Sequence, residues 1–391
     1  MADKTVFEGK KNSDNGDNKM SKTHGIILLG ANGSGKSTLG RELARALNFV
    51  HFDVEDYWFY KTDIPYTAIR PQEERNEMLL SDMKKHGSFI VSGDTSGWGD
   101  EFLTIFDLSV FLTAPMEIRM KRIENREYAR WGDRVCESGD MYESQKKFRE
   151  FASTRDVGLL EQSALKYSCP LLRVDSTKTP GEIVNEILSY INTLNHYDAL
   201  IDENNDPVHD PAPLKAHMDK WDGEVFVEAL QLSPDKSVLE IGVGTGRLAI
   251  RVCDKCGSFT GIDISPKTIE RASQNLQGFA NTDLICGDFL TYPFSDKFDI
   301  IYSSLTFMHI QDKQAAIQRA TSLLKPVGQC VLSIDKNQQA EIDYGNRRIK
   351  VYPDTPEEIS TLLKKCKLTI EKQFETEYAV IFAARKGCQI P

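Results

Sequence analysis

The sequence predicts an α/β protein of two three-layer αβα domains, each with a mainly parallel sheet between layers of helices. Three observations support this prediction. The chain has 391 residues, which is more than a single hydrophobic core usually holds. Short apolar runs alternate with amphipathic stretches along most of it. Two glycine-rich loops of different types, Gly30–Ser37 and Glu240–Gly246, each follow an apolar run, so we expect one nucleotide-like ligand in each domain.

The composition narrows the classes of function. The formal net charge is −10 and no long block of Lys and Arg appears, so nucleic acid is disfavoured as a partner and small-molecule acceptors are expected. No apolar run reaches the roughly 18 residues that a membrane helix needs, and the Met1-Ala-Asp-Lys start lacks a signal pattern. We therefore expect a cytoplasmic protein with no membrane partner.

The first α/β alternation occupies residues 23–195, after a segment, 1–22, whose polar composition predicts a disordered tail. Its apolar runs predict five strands of a parallel sheet, at Ile26–Leu29, Phe49–Phe52, Phe89–Val91, Leu108–Leu112 and Leu171–Val174. A capping box, Thr179–Glu182, then begins a helix that closes this domain.

The second alternation occupies residues 196–391, and a polar segment with Pro and Asp, 202–213, leads into it. Five further strands are predicted, at Val238–Ile241, Phe259–Ile262, Leu284–Cys286, Phe298–Tyr302 and Cys330–Ile334. We expect a helix directly after the second glycine loop, ending near Cys253 to Cys256. No helix-length insert separates the last two apolar runs, 368–374 and 379–384, which predicts a terminal antiparallel hairpin.

The first glycine loop has the spacing G-x-x-x-x-G-K-[ST], with an apolar run before it and a helix after it, as an ATP site requires. Its backbone N–H groups would cradle phosphate, Lys36 would reach the outer phosphates, and the Ser37 hydroxyl would hold Mg²⁺. A cation at the start of a helix is unfavourable unless an anion offsets it. Lys36 at this position therefore indicates a phosphate ligand. The residues assigned to ATP are Gly30, Gly33, Gly35, Lys36, Ser37 and Thr38.

Residues 24–194 resemble the small-molecule and nucleotide kinases of the P-loop superfamily, such as the adenylate, shikimate and gluconate kinases. The resemblance rests on the glycine loop and on Phe52-Asp53-Val-Glu55-Asp56 after the second strand. It implies that Asp53 orients or deprotonates the acceptor hydroxyl, with Lys36 as a further catalytic residue. It also implies that Asp94, after the third strand, lies near Mg²⁺ or the substrate.

The same resemblance implies a mobile lid after the fourth strand, whose arginines neutralise charge on the transferring phosphoryl group. A solvated helix face is the alternative interpretation of this segment. Its arginines are Arg119, Arg122, Arg126, Arg130 and Arg134, of which we assign Arg130 and Arg134 to catalysis.

The second glycine loop is ambiguous alone, because dinucleotide-binding folds use a related spacing. The residues around it are similar to the ordered motifs of class I S-adenosylmethionine (SAM)-dependent methyltransferases, which have a Rossmann-like sheet. These motifs are Val238–Gly246, Gly261–Ser265, Cys286–Phe289 and Phe298–Ser303, and the resemblance covers residues 196–391 with the terminal hairpin.

The resemblance to methyltransferases assigns the cofactor residues by position. The backbone at Gly242, Gly244 and Gly246 would approach the methionine part, and Glu240 would orient the loop and the ligand's ammonium. Asp263 would bind the ribose hydroxyls and Asp288 the adenine amino group, with Phe289 beside it in the motif.

The acceptor side of this second site is less defined by sequence. His309 follows the strand that ends near Ser303 and is the candidate catalytic residue, with a structural histidine as the alternative. A lid is expected before the domain core and a second acceptor segment before the penultimate helix. Their candidate residues are Tyr197, His209 and Trp221, then Tyr344, Arg347, Arg348 and Tyr352.

Three hypotheses about function follow. The first is a bifunctional enzyme, a small-molecule kinase fused to a small-molecule methyltransferase, with ATP, Mg²⁺ and SAM as cofactors. In the second, the P-loop domain is an ATP-binding regulatory module without its own acceptor. The third is an RNA modification or repair enzyme, which the acidic charge and the lack of a clustered Glu and His metal site disfavour.

Overall fold

A computed structural model of the chain describes residues 24–63 and 65–387. The predicted tail, 1–22, lies outside the described residues. These residues divide into two compact units, which meet between Tyr190 and Ile191 of the chain. The boundary falls inside one helix, Pro180–Asp202, and each unit is an α/β structure of its own.

The N-terminal unit is built on a parallel sheet of five strands in the order β2-β3-β1-β4-β5. The strands are β1 Gly25–Gly30, β2 Val50–Asp53, β3 Phe89–Ser92, β4 Leu108–Thr113 and β5 Leu171–Asp175. The α-helices are α1 Lys36–Leu47, α2 Val54–Trp58, α3 Gln72–His86, α4 Met116–Trp131, α5 Tyr142–Thr154, α6 Val157–Ala164 and α7 Pro180–Asp202. Shorter 3₁₀ turns span Asp100–Leu103 and Gly132–Val135.

The central strand of this sheet is β1, and its residues Ile26, Ile27 and Leu28 are fully buried. A strand covered on both faces by helices is apolar at successive positions, which explains why this run does not alternate with polar residues. The carboxyl ends of β1, β2 and β3 meet at one edge of the sheet, because all three strands run in the same direction.

The C-terminal unit has a seven-stranded sheet in the order β13-β14-β10-β9-β6-β7-β8. Its strands are β6 Ser237–Ile241, β7 Ser258–Asp263, β8 Thr282–Cys286, β9 Phe298–Ser303, β10 Leu324–Asp335, β13 Leu368–Glu375 and β14 Ala379–Lys386. A separate hairpin pairs β11 Glu341–Asp343 with β12 Arg348–Lys350. The remaining α-helices are α8 Ala212–Met218, α9 Gly223–Ala229, α10 Pro266–Asn275, α11 Lys313–Leu323 and α12 Pro356–Lys365.

Strand β14 is antiparallel to both β10 and β13, so the predicted terminal hairpin and the mixed sheet are confirmed. None of the helices in the described ranges is long and apolar enough to cross a membrane.

The helix expected after the second glycine loop is a wrong prediction. Two 3₁₀ turns, Ala249–Arg251 and Cys253–Lys255, occupy this segment instead. Their backbone bonds span three residues, as in Val252 N–H to the Ala249 carbonyl at 2.9 Å. Four buried residues of this segment would face the core in a 3₁₀-helix or in an α-helix, so the apolar spacing does not distinguish these two structures. They are Leu248, Ala249, Val252 and Cys253.

One buried ammonium group ties together three segments of the C-terminal unit. Lys313 Nζ donates to the Phe307 carbonyl at 2.5 Å, the Tyr352 carbonyl at 2.8 Å and the Asp354 carboxylate at 2.9 Å. The Lys313 side chain is 12% exposed and that of Asp354 is 5% exposed. Water therefore cannot replace these bonds easily, and the bond to the Phe307 carbonyl fixes the turn that carries His309.

We predict that Lys313→Met destabilises the C-terminal unit, because the Asp354 carboxylate is then buried without its partner. The loss should be roughly 3 kcal/mol, or about 6–12 °C in the melting temperature of a unit of this size. Scanning calorimetry of the full chain measures it.

The matched control is Lys325→Met, which removes the ion pair between Lys325 and Asp299. The Lys325 side chain is 42% exposed and that of Asp299 is 30% exposed. A pair that remains open to water should contribute less than about 1 kcal/mol. Equal effects of the two substitutions would contradict the prediction.

Candidate functional site

The first glycine loop joins the end of β1 to the start of α1, so its backbone N–H groups lie at a helix N-terminus. Gly30, Gly33 and Gly35 have positive φ of 133°, 79° and 99°. A Cβ on Gly33 would lie 2.4 Å from the Arg119 carbonyl oxygen, so a side chain does not fit there. At Gly35 the nearest atom to an added Cβ is Nη1 of Arg122, 3.8 Å away, so the backbone there is open to a phosphate.

Lys36 is the first residue of α1, and its side chain reaches back to the loop. Its Nζ donates to the Gly30 carbonyl at 2.8 Å and to the Ala31 carbonyl at 3.2 Å. Burial lowers the pKa of Lys36 to about 8, and the nearby carboxylates of Glu55 and Asp53 oppose that shift. Of the two hydroxyl residues that follow, Ser37 is half-buried and Thr38 is exposed.

Two carboxylates belong to the same electrostatic site. Asp53 ends β2 and caps α2, where its side chain accepts the Glu55 backbone N–H at 3.2 Å. Glu55 is open to solvent, yet partial desolvation and the nearby Asp53 raise the pKa of its carboxyl. The charges that oppose this rise are Arg126, Lys36 and Arg130, so three cations and two carboxylates converge at the loop.

Arg130 and Arg134, the two arginines assigned to catalysis, differ in their contacts. Arg130 donates to the Tyr66 hydroxyl at 3.2 Å, beside Glu55. Arg134 forms a two-bond ion pair with the exposed Asp140, at 2.9 and 2.7 Å, and its guanidinium is thereby held within its own segment.

Three further arginines contact the glycine loop directly. Arg155 donates to the Asn32 side chain at 3.0 Å, Arg119 to the Asn32 carbonyl at 3.3 Å and Arg122 to the Ser34 carbonyl at 3.4 Å. Sequence reasoning missed Arg155. It lies between α5 and α6, more than one hundred residues from the loop, and no motif spacing signals the contact.

Asp94 follows β3 at the same edge of the sheet. Its Oδ1 accepts the Ser96 N–H at 2.8 Å and the Tyr167 hydroxyl at 3.0 Å. Near it, the Ser92 hydroxyl donates to the Lys36 carbonyl at 3.2 Å and links β3 to α1. Among the described residues, no cluster of three or more His, Cys, Asp or Glu side chains could hold a metal ion by itself.

A cavity of about 190 Å³ opens beside the loop at the carboxyl ends of β4 and β5. Its walls include Ala31 of the loop, Pro115, Arg119, Val157 and Asp175. A cleft lined mainly by apolar residues suits a flat heteroaromatic ring.

In the C-terminal unit, Gly242, Gly244 and Gly246 have positive φ of 75°, 55° and 95°. A Cβ on Gly242 would lie 2.0 Å from the Thr306 hydroxyl oxygen, so only glycine fits. The Gly244 N–H donates to Asp263 Oδ2 at 3.1 Å, and Asp263 Oδ1 accepts the Ser265 N–H at 3.0 Å. The structure thus brings Asp263, at the end of β7, against the glycine loop.

Glu240 lies beneath the loop and is buried. Its Oε2 accepts the Tyr302 hydroxyl at 2.8 Å. Burial raises the pKa of Glu240 to about 8, so its carboxyl is largely protonated near neutral pH. Beside it, the buried Asp222 forms a two-bond ion pair with Arg247 and accepts the Ser304 hydroxyl at 2.8 Å.

Asp288 and Phe289 follow β8, next to Asp263. The Gly287 N–H donates to the Asp263 carbonyl at 2.8 Å, which joins the two strand ends. Asp288 Oδ1 accepts the Leu290 N–H at 2.7 Å. Phe289 is 5% exposed and packs on Phe294 with ring centroids 6.3 Å apart, so it belongs to the hydrophobic core beside the site.

His309 pairs with Tyr197 of α7. The Tyr197 hydroxyl lies 2.7 Å from His309 Nε2, and the two rings are perpendicular with centroids 5.4 Å apart. Burial lowers the pKa of His309 to about 3 and raises the pKa of Tyr197, with Asp263 contributing to the second shift. Both side chains are therefore neutral near pH 7, and Tyr197 lies near Asp263 at the end of β7.

The neighbouring His196 is held by the hairpin segment. Arg347 Nε donates to His196 Nδ1 at 2.8 Å, and its guanidinium also binds Glu203 at 2.5 and 2.7 Å. The Tyr344 ring packs on His196 with centroids 4.2 Å apart. Because Nδ1 accepts, the proton of the neutral ring is on Nε2. Sequence reasoning named Tyr344 and Arg347 but missed His196.

The other residues predicted on the acceptor side contact residues other than Tyr197, His196 and His309. Trp221 donates to Asp335 at 3.1 Å, and His209 lies 3.0 Å from the Asn275 side chain. Arg348 pairs with Asp343 within the hairpin, and the Tyr352 N–H donates to the Met308 carbonyl at 2.7 Å.

Comparison with known proteins defines the class of each unit. A family model described as a methyltransferase domain matches residues 232–375, and one described as an AAA domain matches residues 26–145. The chain therefore combines a P-loop domain of the kinase-like type with a class I methyltransferase domain, as the sequence motifs predicted.

The uncharacterized protein YqaC of Bacillus subtilis (strain 168) is 35% identical over 176 residues, which cover 43% of this chain and 97% of that protein. The chain belongs to the same family as YqaC.

Two methyltransferases are similar over shorter stretches. Phosphoethanolamine N-methyltransferase 1 of Arabidopsis thaliana is 34% identical over 111 residues, which cover 28% of this chain and 23% of that protein. Malonyl-[acyl-carrier protein] O-methyltransferase 1 of Ilyobacter polytropus is 30% identical over 154 residues, which cover 39% of this chain and 52% of that protein. The chain thus spans about a quarter to about half of the length of these relatives.

Among solved structures, N-methyltransferase NodS from Bradyrhizobium japonicum WM9, in complex with S-adenosyl-L-homocysteine, has a TM-score of 0.38 and 20% identity to this chain. The match covers 50% of this chain and 98% of NodS.

The raised pKa of Glu240 predicts a pH dependence of stability. The folded pKa of about 8 exceeds the ordinary value of 4.5, so the folded chain holds this proton more tightly than the unfolded chain. The contribution is complete below about pH 4.5 and is lost as the pH rises to about 8. Glu240→Gln, whose amide oxygen still accepts the Tyr302 hydroxyl, should flatten this decline in scanning calorimetry at pH 5, 7 and 9.

The control for this prediction is Glu371→Gln, a substitution at an exposed carboxylate, which should keep the wild-type profile. Parallel profiles for Glu240→Gln and the wild type would show that Glu240 does not lose its proton in this range.

Proposed function

We propose that the chain is a bifunctional enzyme, a SAM-dependent methyltransferase fused to an ATP-dependent kinase, and that both domains act on small molecules. The observation that carries the proposal is that each glycine loop has charged or polar side chains directly beside it. Asp263 and the Tyr197–His309 pair lie at one loop, and Lys36 with Asp53 lies at the other.

The methyltransferase site fits SAM on three grounds. Gly244 leaves room for a ligand to approach the backbone, because nothing lies within 4 Å of the place its Cβ would take. The Asp263 carboxylate at the loop is suited to accept two ribose hydroxyls, and Asp288 lies at the adjacent strand end. Buried nearby, His309 Nδ1 has no hydrogen-bond partner among the described residues.

When bound, the cofactor supplies an electrophilic methyl group, so the residues of this chain have to orient the acceptor and exclude water. A histidine whose pKa is lowered to about 3 stays neutral at physiological pH. We therefore assign His309, hydrogen-bonded to Tyr197, to orienting the acceptor atom rather than to holding its proton. The two methyltransferase relatives, named for transfer to nitrogen and to oxygen, support methyl transfer in general.

The P-loop site fits ATP and Mg²⁺ on similar grounds. The loop N–H groups and Lys36 would hold the phosphates, Ser37 would ligate Mg²⁺, and the cavity lined by Pro115 and Val157 would take the adenine. Both hydrogen bonds to Asp94 are on Oδ1, so we assign Oδ2 to a magnesium-bound water.

The convergence of Arg126, Arg130 and Arg155 near Lys36 provides charge for a transferring phosphoryl group. Asp53 is the residue we assign to the acceptor hydroxyl. Because Arg134 pairs with Asp140, its participation would require that this exposed ion pair opens.

We predict that the two cofactor sites can be removed separately. Lys36→Ala should weaken ATP binding at least a hundredfold and leave SAM affinity unchanged, because the Lys36 ammonium donates to two carbonyls of the phosphate loop. Asp263→Ala should weaken SAM binding at least tenfold and leave ATP binding unchanged. Calorimetric titration of the full chain with Mg²⁺–ATP and with SAM measures both.

The control for the second substitution is Asp283→Ala, at an exposed position on β8, which should bind both ligands as the wild type does. If either substitution removed both ligands, the assignment of two independent sites would be wrong.

A substitution of Asp53 tests the kinase against the regulatory alternative. Asp53→Asn keeps a side chain that can cap α2 but removes the carboxylate, so the fold and ATP affinity should remain. Transfer of label from [γ-³²P]ATP to a protein-free small-molecule cell extract should fall at least a hundredfold. A wild-type chain that labels nothing, but whose methyl transfer depends on ATP, would favour the regulatory module.

A substitution of Tyr197 tests the acceptor side of the methyltransferase. Tyr197→Phe removes the hydroxyl that holds His309 and should reduce transfer of label from [methyl-³H]SAM to the same extract by about ten- to hundredfold. SAM affinity should stay within twofold. Tyr378→Phe, which removes a hydroxyl that contacts Glu377 and, at 3.5 Å, Lys220, is the matched control and should keep full activity. Equal activities of Tyr197→Phe and Tyr378→Phe would show that the Tyr197 hydroxyl does not contribute to methyl transfer.

A further inference from the structure

The side chain of Asn275, the last residue of α10, connects three segments of the methyltransferase domain. Its Nδ2 donates to the Thr245 carbonyl at 2.9 Å and to the two Asp206 carboxylate oxygens at 3.1 and 3.3 Å. Its Oδ1 lies 3.0 Å from His209 Nε2. An amide nitrogen carries two N–H groups, so one serves Thr245 and the other serves Asp206. Because the amide oxygen only accepts, His209 is the donor in the third contact.

This set of partners requires an amide at position 275. The Thr245 carbonyl and the Asp206 carboxylate only accept hydrogen bonds, so an aspartate would place its own oxygens against theirs. A leucine of similar size would remove the donor from both. Thr245 is 7% exposed and Asp206 is 6% exposed, so water has little access to replace the lost bonds. The contacts therefore depend on the two N–H groups of Asn275 and not on its volume.

The carbonyl that Asn275 holds belongs to the second glycine loop. Thr245 lies between Gly244 and Gly246, whose positive φ values are 55° and 95°. A backbone in this conformation continues neither a helix nor a strand, so bonds to neighbouring segments set its path. The Gly244 N–H donates to Asp263, and the carbonyl of the next residue accepts from Asn275. Two successive residues of the loop are thus each held by a side chain from the segment that runs from β7 to the end of α10.

The end of α10 also packs against this loop. A Cβ on Gly246 would lie 3.3 Å from Cγ of Leu276, which follows α10 and is 1% exposed. At Gly244, by contrast, none of the described atoms lies within 4 Å of the place of an added Cβ. The helix end therefore supports the loop at Thr245 and Gly246 and leaves its backbone open at Gly244.

The other two partners of Asn275 lie in the segment between α7 and α8. Asp206 is buried and also pairs with Arg271 of α10 at 3.2 Å. His209, which we expected in a lid over the cofactor, is exposed and contacts Asn275. One side chain on α10 thus joins this segment to the glycine loop.

We propose that Asn275 is a positioning residue for the SAM site, which holds the Thr245 carbonyl and with it the binding conformation of the glycine loop. The inference rests on the proposed SAM binding and adds a residue that acts through the loop backbone. A loop that is already held in its binding conformation loses less conformational entropy when the cofactor arrives. Loss of the Asn275 bond should therefore weaken SAM binding and leave the transfer step unchanged once SAM is bound.

Asn275→Leu tests this role. Calorimetric titration of the full chain with SAM should show binding weakened about tenfold, as expected for the loss of one neutral hydrogen bond. The affinity for Mg²⁺–ATP should not change. In transfer of label from [methyl-³H]SAM to a protein-free small-molecule cell extract, the apparent KM for SAM should rise by a similar factor and the maximal rate should remain. A variant that only loses folded protein would instead lower the maximal rate.

The matched control is Asn281→Leu. Asn281 Nδ2 also donates to two backbone carbonyls, those of Cys253 at 2.8 Å and Cys256 at 3.0 Å, but neither lies in the glycine loop. This substitution should lower the melting temperature as much as Asn275→Leu does and keep SAM affinity within twofold. Equal losses of SAM affinity in the two variants, or no loss in Asn275→Leu, would overturn the proposal.

If circular dichroism shows that Asn275→Leu does not fold, Asn275→Ser decides, with Asn281→Ser as its control. Serine adds no apolar group and lacks the amide N–H groups, so SAM binding should weaken by about the same factor. Unchanged binding would again overturn the proposal. Failure of the proposed SAM site is distinguishable. A wild-type chain that does not bind SAM removes the site and this role together, whereas equal SAM binding by the wild type and the Asn275 variants removes the role alone.

Discussion

Parallel strands of one sheet all end at the same edge, and both candidate sites of this protein depend on that constraint. In the P-loop domain, the ends of β1, β2 and β3 bring together a glycine loop, Asp53 and Asp94, which are far apart in sequence. In the methyltransferase domain, the ends of β6, β7 and β8 bring together the second loop, Asp263 and Asp288. The two sites therefore use different side chains at equivalent positions, the carboxyl ends of neighbouring parallel strands.

Removal of water from these edges sets the charge states. Lys36 loses affinity for its proton, whereas Glu240 and Asp263 gain affinity for theirs, and burial is the largest cause in all three groups. A ligand with charge opposite to the group that it meets would reverse part of this shift. Burial also lowers the pKa of His309 and of His196, the two histidines beside Tyr197. That side of the methyltransferase site therefore consists of neutral hydrogen-bonding groups.

Much of the fold and part of each site were predictable from sequence because their signals are local. Apolar runs and glycine spacings identified the sheets, the two loops and the terminal hairpin. The 3₁₀ turns after Gly246 were not predictable, since the buried residues there fit either helix type. Contacts between distant segments, such as Arg155 with Asn32 or Arg347 with His196, carry no spacing signal at all. The roles assigned to individual site residues stay predictions.

The separation along the chain of the contacts in the methyltransferase domain has a consequence for folding. Gly244 and Asp263 are 19 residues apart, whereas Tyr197 and His309 are 112 apart and His196 and Arg347 are 151 apart. Contacts that close short loops cost less chain entropy and are favoured early, while those that close long loops wait for the intervening strands. The glycine loop and Asp263 can therefore come together before Tyr197 meets His309 or His196 meets Arg347, and a chain arrested partway through folding would have the first contact without the other two.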